Sequence, residues 1–167
     1  MSWTTLPSAL VYVSVYMMLP DTLTVAAVAV VRWVRTAHMG YIVGKHSRHS
    51  AINEIICHSL CSAHIPSQRE PTGLYTTQTR PDGLTLVPWR SGKCLVWDAT
   101  VVDTLAPSHV VHTRCTPGAA AAAAEDLKIS KYSGRLPSTY EFIPLGFETL
   151  GSVGPAAQEF IATLGIL

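Results

Sequence analysis

The chain has 167 residues, 48% of them hydrophobic and 14% charged, which suits one ordinary domain and is too short for two of typical size. Twelve Lys and Arg against eleven Asp and Glu leave a net charge of +1, excluding an acidic disordered tail and a strongly basic nucleic-acid coat. Cys57, Cys61, Cys94 and Cys115, in a chain too large to need staples, read as reduced intracellular thiols rather than a disulfide framework.

Residues 1–44 form a hydrophobic N-terminal extension whose first thirty-one residues carry one charge, Asp21. Val11 to Leu19 and Thr24 to Val31 are apolar runs parted by Pro20-Asp21, and Arg32, Arg35, Lys45 and Arg48 follow with no acid before Glu54. Residues 9–31 have about the length that crosses a bilayer, which makes them the candidate for membrane association. Asp21 near the centre would cost roughly 2.5 to 3.5 kcal/mol, however, and no basic residue precedes the run as a secretory signal requires. The alternatives are two short elements lying on the domain or a poorly ordered extension.

From residue 45 to 167 the pattern predicts one α/β domain. Ile52, Ile55, Ile56, Leu60 and Ala63 recur at helical spacing within Ser50 to Ala63, a helix that ends at Pro66. Three β-biased runs follow, near Gly73 to Thr77, Leu84 to Trp89 and Cys94 to Val102, the last two joined as a hairpin through Arg90-Ser91-Gly92-Lys93. A loop carries His109 and His112. Gly118 then introduces the run Ala119 to Ala124, whose helix propensity continues to Tyr132 and stops before Gly134. Tyr140 to Pro144 is a short strand and Pro155 to Leu164 a closing helix. The Ala-rich helix is thus a crossover that can set the last strand beside a central one.

Chemistry concentrates around Arg80-Pro81-Asp82-Gly83 and Trp97-Asp98-Ala99-Thr100. Asp98 lies within an apolar strand, where an unpaired carboxylate is expensive to bury. The hairpin turn folds Asp82 towards it, and a hard divalent cation such as Mg²⁺ or Mn²⁺ is one means of holding two neighbouring carboxylates as anions. Such a cation could activate water against a phosphodiester. Glu70 is the expected third acid, with Glu54 on the first helix as the other candidate. A plainer account makes Asp82 a turn residue and Asp98 the partner of Arg80, Arg90 or Lys93 in a structural ion pair.

Arg48-His49-Ser50-Ala51-Ile52-Asn53, Glu70-Pro71-Thr72-Gly73-Leu74, Arg80-Pro81-Asp82-Gly83, Leu95-Val96-Trp97-Asp98-Ala99-Thr100, Asp103-Thr104-Leu105-Ala106-Pro107-Ser108-His109, Lys128 to Tyr132 and Phe147-Glu148-Thr149-Leu150-Gly151 together resemble the C-terminal region of retroelement reverse-transcriptase-like proteins. That region is similar to the restriction-endonuclease-like fold of the PD-(D/E)XK superfamily. The resemblance covers roughly residues 46 to 165. It implies a small mixed sheet flanked by helices, with Asp82, Asp98 and Glu70 or Glu54 holding Mg²⁺ or Mn²⁺ and DNA as partner. The superfamily pattern has Lys two positions after the second acid, where this chain has Thr100; Lys128 or Lys131 from the crossover helix is the expected replacement. Arg80, Arg90, Lys93 and His49 are the candidate nucleic-acid contacts. The alternative is a remnant without catalysis that keeps a binding or interaction role. The chain contains no Tyr-x-Asp-Asp-like polymerase motif.

Smaller constellations point less far. Cys57, Cys61 and His64 with His109, His112 and Cys115 could make a zinc site, but there is no compact Cys-x-x-Cys pair. Ser108-His109 lacks a Gly-x-Ser-x-Gly elbow. Trp89, Trp97, Tyr132 and Tyr140 read as core or rim aromatics, with no basic and aromatic alternation to mark a base-stacking platform.

Overall fold

The computed structural model describes residues 45–73 and 80–166. Their order is α1 (Lys45–Ser62), β1 (Ser67–Arg69), β2 (Gly83–Thr85), β3 (Cys94–Val102), α2 (Val110–Thr113), α3 (Ala119–Tyr132), β4 (Tyr140–Glu148) and α4 (Pro155–Ile166). The four strands form one mixed sheet in the order β1-β2-β3-β4, antiparallel except for the parallel pair β3 and β4. The expected succession of helix, three strands, helix, strand and helix is the one found, with the short α2 added where a loop was predicted. Among the described residues no helix is long and apolar enough to cross a membrane. The apolar runs at 9–31 lie outside the described residues.

Helix α1 begins five residues before the apolar periodicity, because its first residues, Lys45 to His49, are polar and leave no hydrophobic signal. It ends in a left-handed His64, φ 60°. The His64 N–H bonds the Cys61 carbonyl at 3.0 Å and the Ile65 N–H reaches back to Leu60 at 2.8 Å, the paired bonds that close a helix C-terminus.

The first strand is not the β-biased run near Gly73 to Thr77. Apart from Gly73, the predicted strand at 73–77 lies outside the described residues, and the segment that pairs with β2 is Ser67–Arg69. Its composition, Ser-Gln-Arg, shows no β bias because it is a mostly exposed edge strand, held by backbone pairing rather than burial. Strand β2 stops at Thr85, well short of Trp89. The fully buried Thr85 uses its hydroxyl to accept the Leu95 N–H at 2.9 Å and to donate to the Val87 carbonyl at 2.9 Å, which turns the chain out of the ladder. The hairpin turn falls where expected, with Ser91 and Gly92 both at positive φ, 51° and 73°, as a tight primed turn requires.

Strand β4 continues through Pro144 to Glu148. It is an edge strand, and the outward bonds of Gly146 and Glu148 to Glu125 and Ser152 place the N of Pro144, two residues away, on the outer side as well. No ladder bond to β3 is lost there.

One face of the sheet carries the main core: Ile52, Ile56 and Leu60 of α1, Leu95, Trp97 and Ala99 of β3, Ile143, Leu145 and Phe147 of β4, and Ala157, Phe160, Ile161 and Leu164 of α4. Helix α3 covers the other face with Ala120, Ala121 and Ala124. Alanine is needed for closeness as much as for propensity, since a Cβ on Gly146 would lie 2.6 Å from the Ala121 carbonyl oxygen.

Two buried carboxylates lock this helix. Glu148 Oε1 accepts the N–H groups of Ala120 and Ala121 at 3.0 and 3.3 Å, capping α3 from β4. Glu125 accepts the N–H groups of Gly146 and Ala157 at 3.0 Å on Oε1 and of Ala156 at 2.9 Å on Oε2, so α3 in turn caps α4. With three amides left unpaired, Glu125→Ala is expected to lower unfolding stability by about 3 kcal/mol in a denaturant titration; a loss below about 1 kcal/mol would show that the cap is dispensable.

Candidate functional site

Strand β2 pairs with β3 only at Gly83↔Trp97 and Leu84↔Val96, while β3 runs on to Val102. Among the described residues the side of β3 away from β4 therefore has no strand partner beyond Gly83, a notch in the sheet. Gly83 itself serves sterics rather than turn geometry: a Cβ there would fall 1.9 Å from the Trp97 ring. The indole across it donates from Nε1 to Asn53 Oδ1 at 3.0 Å, tying β3 to α1.

Asp82 sits at the mouth of the notch. Its Oδ2 accepts the Ala99 N–H at 2.7 Å, an amide that the backbone of β2 no longer pairs, and the same oxygen meets His49 Nε2 of α1 at 3.0 Å. Asn53, one turn further along α1, holds its Nδ2 3.4 Å from that ring nitrogen. Burial pushes the Asp82 carboxyl up, but His49, the Ala99 amide and Asn53 outweigh it, and the group lies below its ordinary 3.8. The hydrogen bond to Asp82 raises His49 above its ordinary 6.5 against the opposing effect of burial.

Asp98 enters the same space from the α3 side of the sheet and is 4% exposed. Lys128 Nζ reaches its Oδ1 at 2.7 Å, and the Tyr132 hydroxyl donates to Oδ2 at 2.7 Å. Lys131 stands 3.8 Å from Oδ2 and 5.0 Å from the centre of the Tyr132 ring. The cation beside Asp98 is thus on the crossover helix and is none of Arg80, Arg90 and Lys93. Ligand atoms of His49, Asp82 and Asp98 all lie within 4.8 Å of one another. Side-chain exposure falls from 40% at His49 through 15% at Asp82 to 5% at Asp98, so the group opens to solvent on the α1 side.

The other predicted residues are dispersed. Glu70 is exposed, adopts a left-handed φ of 46° and meets Asp82 through its backbone, its N–H bonding the Asp82 carbonyl at 2.8 Å. Its carboxylate is outside the group of three. Glu54 faces solvent, 3.9 Å from His58. Arg80 is exposed on the rim, its carbonyl accepting the Tyr132 hydroxyl at 3.2 Å. Arg90 is committed elsewhere: its Nε donates to Glu141 at 2.7 Å and its Nη1 to Glu159 at 3.1 Å, and the two acids raise its pKa further. Lys93 lies in the hairpin turn, five residues before Asp98, roughly 17 Å along the strand.

Cys57, Cys61, His64, His109, His112 and Cys115 form no group comparable to His49, Asp82 and Asp98 among the described residues. His109 instead places Nδ1 3.0 Å from the Asp103 carbonyl oxygen, and burial pushes the Cys57 thiol up. The four cysteines are free.

Tyr132 is buried as the core aromatic expected, 2% exposed and stacked on Phe142, and its hydroxyl in addition holds Asp98. Its spacing of four residues from Lys128 on a helix was the available signal. The cleft of about 490 Å³ lined by Trp89, Tyr132, Phe142 and Phe160 contains none of His49, Asp82 and Asp98, so the acidic group is separate from that concavity.

The pair His49 and Asp82 makes stability depend on pH with a definite sign. A raised histidine contributes fully below 6.5 and loses its contribution as pH rises through its folded value; a lowered aspartate contributes above 3.8 and loses it as pH falls through its folded value. Both describe one interaction. In chelator, wild type is expected to exceed His49→Ala most between about pH 4 and 6.5, by no more than about 1 kcal/mol given the exposure of the ring, with the gap narrowing towards pH 8. A gap that widens with rising pH would contradict this pairing.

No protein-family model matches this sequence, and the search of curated proteins finds no match to it.

Proposed function

We propose that this chain carries a retroelement-derived nuclease-like domain of restriction-endonuclease-like fold, which hydrolyses phosphodiester bonds of DNA with a divalent metal. The observation that carries the reading is the meeting of Asp82 and Asp98 in the notch with Lys128 beside them. The sequence resemblance and the element order support it, and the small mixed sheet flanked by helices accommodates it.

The donor types suit a cation, and a small inward movement of the side chains would bring them to its bonding distances. Metal–ligand bonds of about 2.1 Å set neighbouring and opposite donors roughly 3 to 4.2 Å apart, and the ligand atoms of the group span no more than 4.8 Å. Asp82 and Asp98 would hold the ion. A bound Mg²⁺ or Mn²⁺ supplies a polarised phosphoryl oxygen and a water of lowered pKa.

Every other part of the chemistry belongs to the chain. Tyr132 fixes Asp98 by a hydrogen bond to one oxygen, and Lys128 neutralises the other. With Asp98 serving a cation, the Lys128 ammonium would be available to stabilise negative charge on the phosphate, the task that Thr100 cannot perform. Lys131 stands close enough to share it. Arg80 on the rim is positioned to contact backbone phosphate, whereas Arg90, held by two carboxylates, is not.

The alternative of a non-catalytic binding remnant draws on the same contacts, since Lys128 and Tyr132 satisfy Asp98 without any metal. One experiment separates the two. The full chain is expected to nick plasmid or single-stranded DNA only with Mg²⁺ or Mn²⁺, and Asp82→Ala and Asp98→Ala each to reduce cleavage by at least roughly 100-fold. Lys128→Met should lower it by a similar factor, as loss of one stabilising contact does. A well-folded chain that binds DNA but cleaves none under these conditions would overturn the catalytic reading in favour of the remnant.

A further inference from the structure

His49 gives the site a nitrogen donor that neither acid can imitate. Its Nε2 is 3.0 Å from Asp82 Oδ2, and a ring nitrogen lies within 4.8 Å of a ligand atom of Asp98. It projects from α1, on the opposite side of the sheet from Lys128, so the two acids lie between an imidazole and an ammonium. The Asn53 amide, 3.4 Å from Nε2 and 3.2 Å from the His49 carbonyl, is itself fixed by the Trp97 indole. The ring is therefore placed by a chain of contacts that begins in the core.

We infer that His49 is the third ligand of the cation site in place of Glu70, and that the site accordingly selects a first-row transition cation of the Mn²⁺ class over Mg²⁺. The inference rests on the reading of Asp82 and Asp98 as cation ligands and adds the metal that they serve. Mg²⁺ is a hard ion that keeps oxygen donors and its own water, and gains little from imidazole. Transition cations bind a mixed set of imidazole and carboxylate more tightly, increasingly so along the series. Glu70 is exposed, and using it instead would mean drawing a solvated carboxylate into the notch.

The test is metal binding by the full chain, read without reference to cleavage. Mn²⁺ and Mg²⁺ affinities are measured by calorimetry for wild type, His49→Ala and the better-shaped His49→Gln, with circular dichroism to confirm folding. The environment of bound Mn²⁺ is read by pulsed electron paramagnetic resonance. Wild type should bind Mn²⁺ at least roughly tenfold more tightly than Mg²⁺ and show coupling to an imidazole ¹⁴N. Both His49 variants should lose that coupling and at least the roughly tenfold affinity that even outer-shell partners contribute, with Mg²⁺ binding changed less than about twofold.

Retained ¹⁴N coupling in His49→Gln, or equal loss of both metals, overturns the inference. If Asp82→Ala and Asp98→Ala abolish Mn²⁺ binding while the His49 variants leave it intact, the acid pair stands and the ligand role of His49 fails. If the Asp variants leave Mn²⁺ binding unchanged, the site reading itself fails and the inference falls with it.

Discussion

An ionised carboxylate in the middle of a strand forfeits several kcal/mol of hydration, and Asp98 at 4% exposure is such a group. Its recovery depends on α3, which delivers Lys128 to one oxygen and Tyr132 to the other. The crossover helix is consequently more than a cover for β3 and β4. Its last turns must lie in a register that points positions 128 and 132 at the sheet, and its first turns must come close enough to β4 for that register to hold.

That closeness is secured without local capping residues. Helix α3 begins after Gly118, and α4 begins at Pro155 after Gly154, so neither has a side chain at its N-cap to accept the free amides. Glu148 serves the first helix and Glu125 the second, each from a different element. Glu125 also bonds the Gly146 amide, joining β4, α3 and α4 through one carboxylate. Gly154 is required because a Cβ there would fall 2.3 Å from Glu125 Oε1. The negative charges also lie at the positive ends of two helix dipoles, where they are most favourable.

What was legible in the sequence was what repeats. The apolar period of α1, the alanine run of α3 and the β-biased apolar run of β3 each leave a pattern, and the bounds of α3 and β3 follow it to the residue. The Ser91-Gly92 turn was legible from its turn-forming residues instead. Strand β1 left none, because Ser67–Arg69 buries too little to need apolar residues, and β2 ended early through a hydroxyl of Thr85 that propensity cannot anticipate. At the site, Asp82 and Asp98 could be read from local chemistry, whereas the reach of Lys128 or Lys131 followed only from the family resemblance. His49 as a neighbour of both acids could not, since thirty-three residues separate it from Asp82 and only the packing of α1 on β3 joins them. The role of Tyr132 was obscured because an aromatic on a helix facing a sheet is ordinarily core.

The buried and half-buried acids of this chain differ in the kind of partner they have, and this separates scaffold from site. Glu125 and Glu148 accept backbone amides at helix termini and a strand, groups that cannot move aside without unwinding an element. Asp98 is held by the ends of two side chains, and Lys128 retains 23% exposure, so its ammonium lies at the edge of water. Asp82 combines both kinds, with the Ala99 amide anchoring Oδ2 while His49 approaches from the solvent side. A carboxylate fixed on backbone but faced by replaceable cations can exchange its counter-charge at small structural cost. The notch beyond β2 is where the fold sets this carboxylate beside Asp98, so the two acids with exchangeable side-chain partners lie together, apart from the two that serve as structural locks.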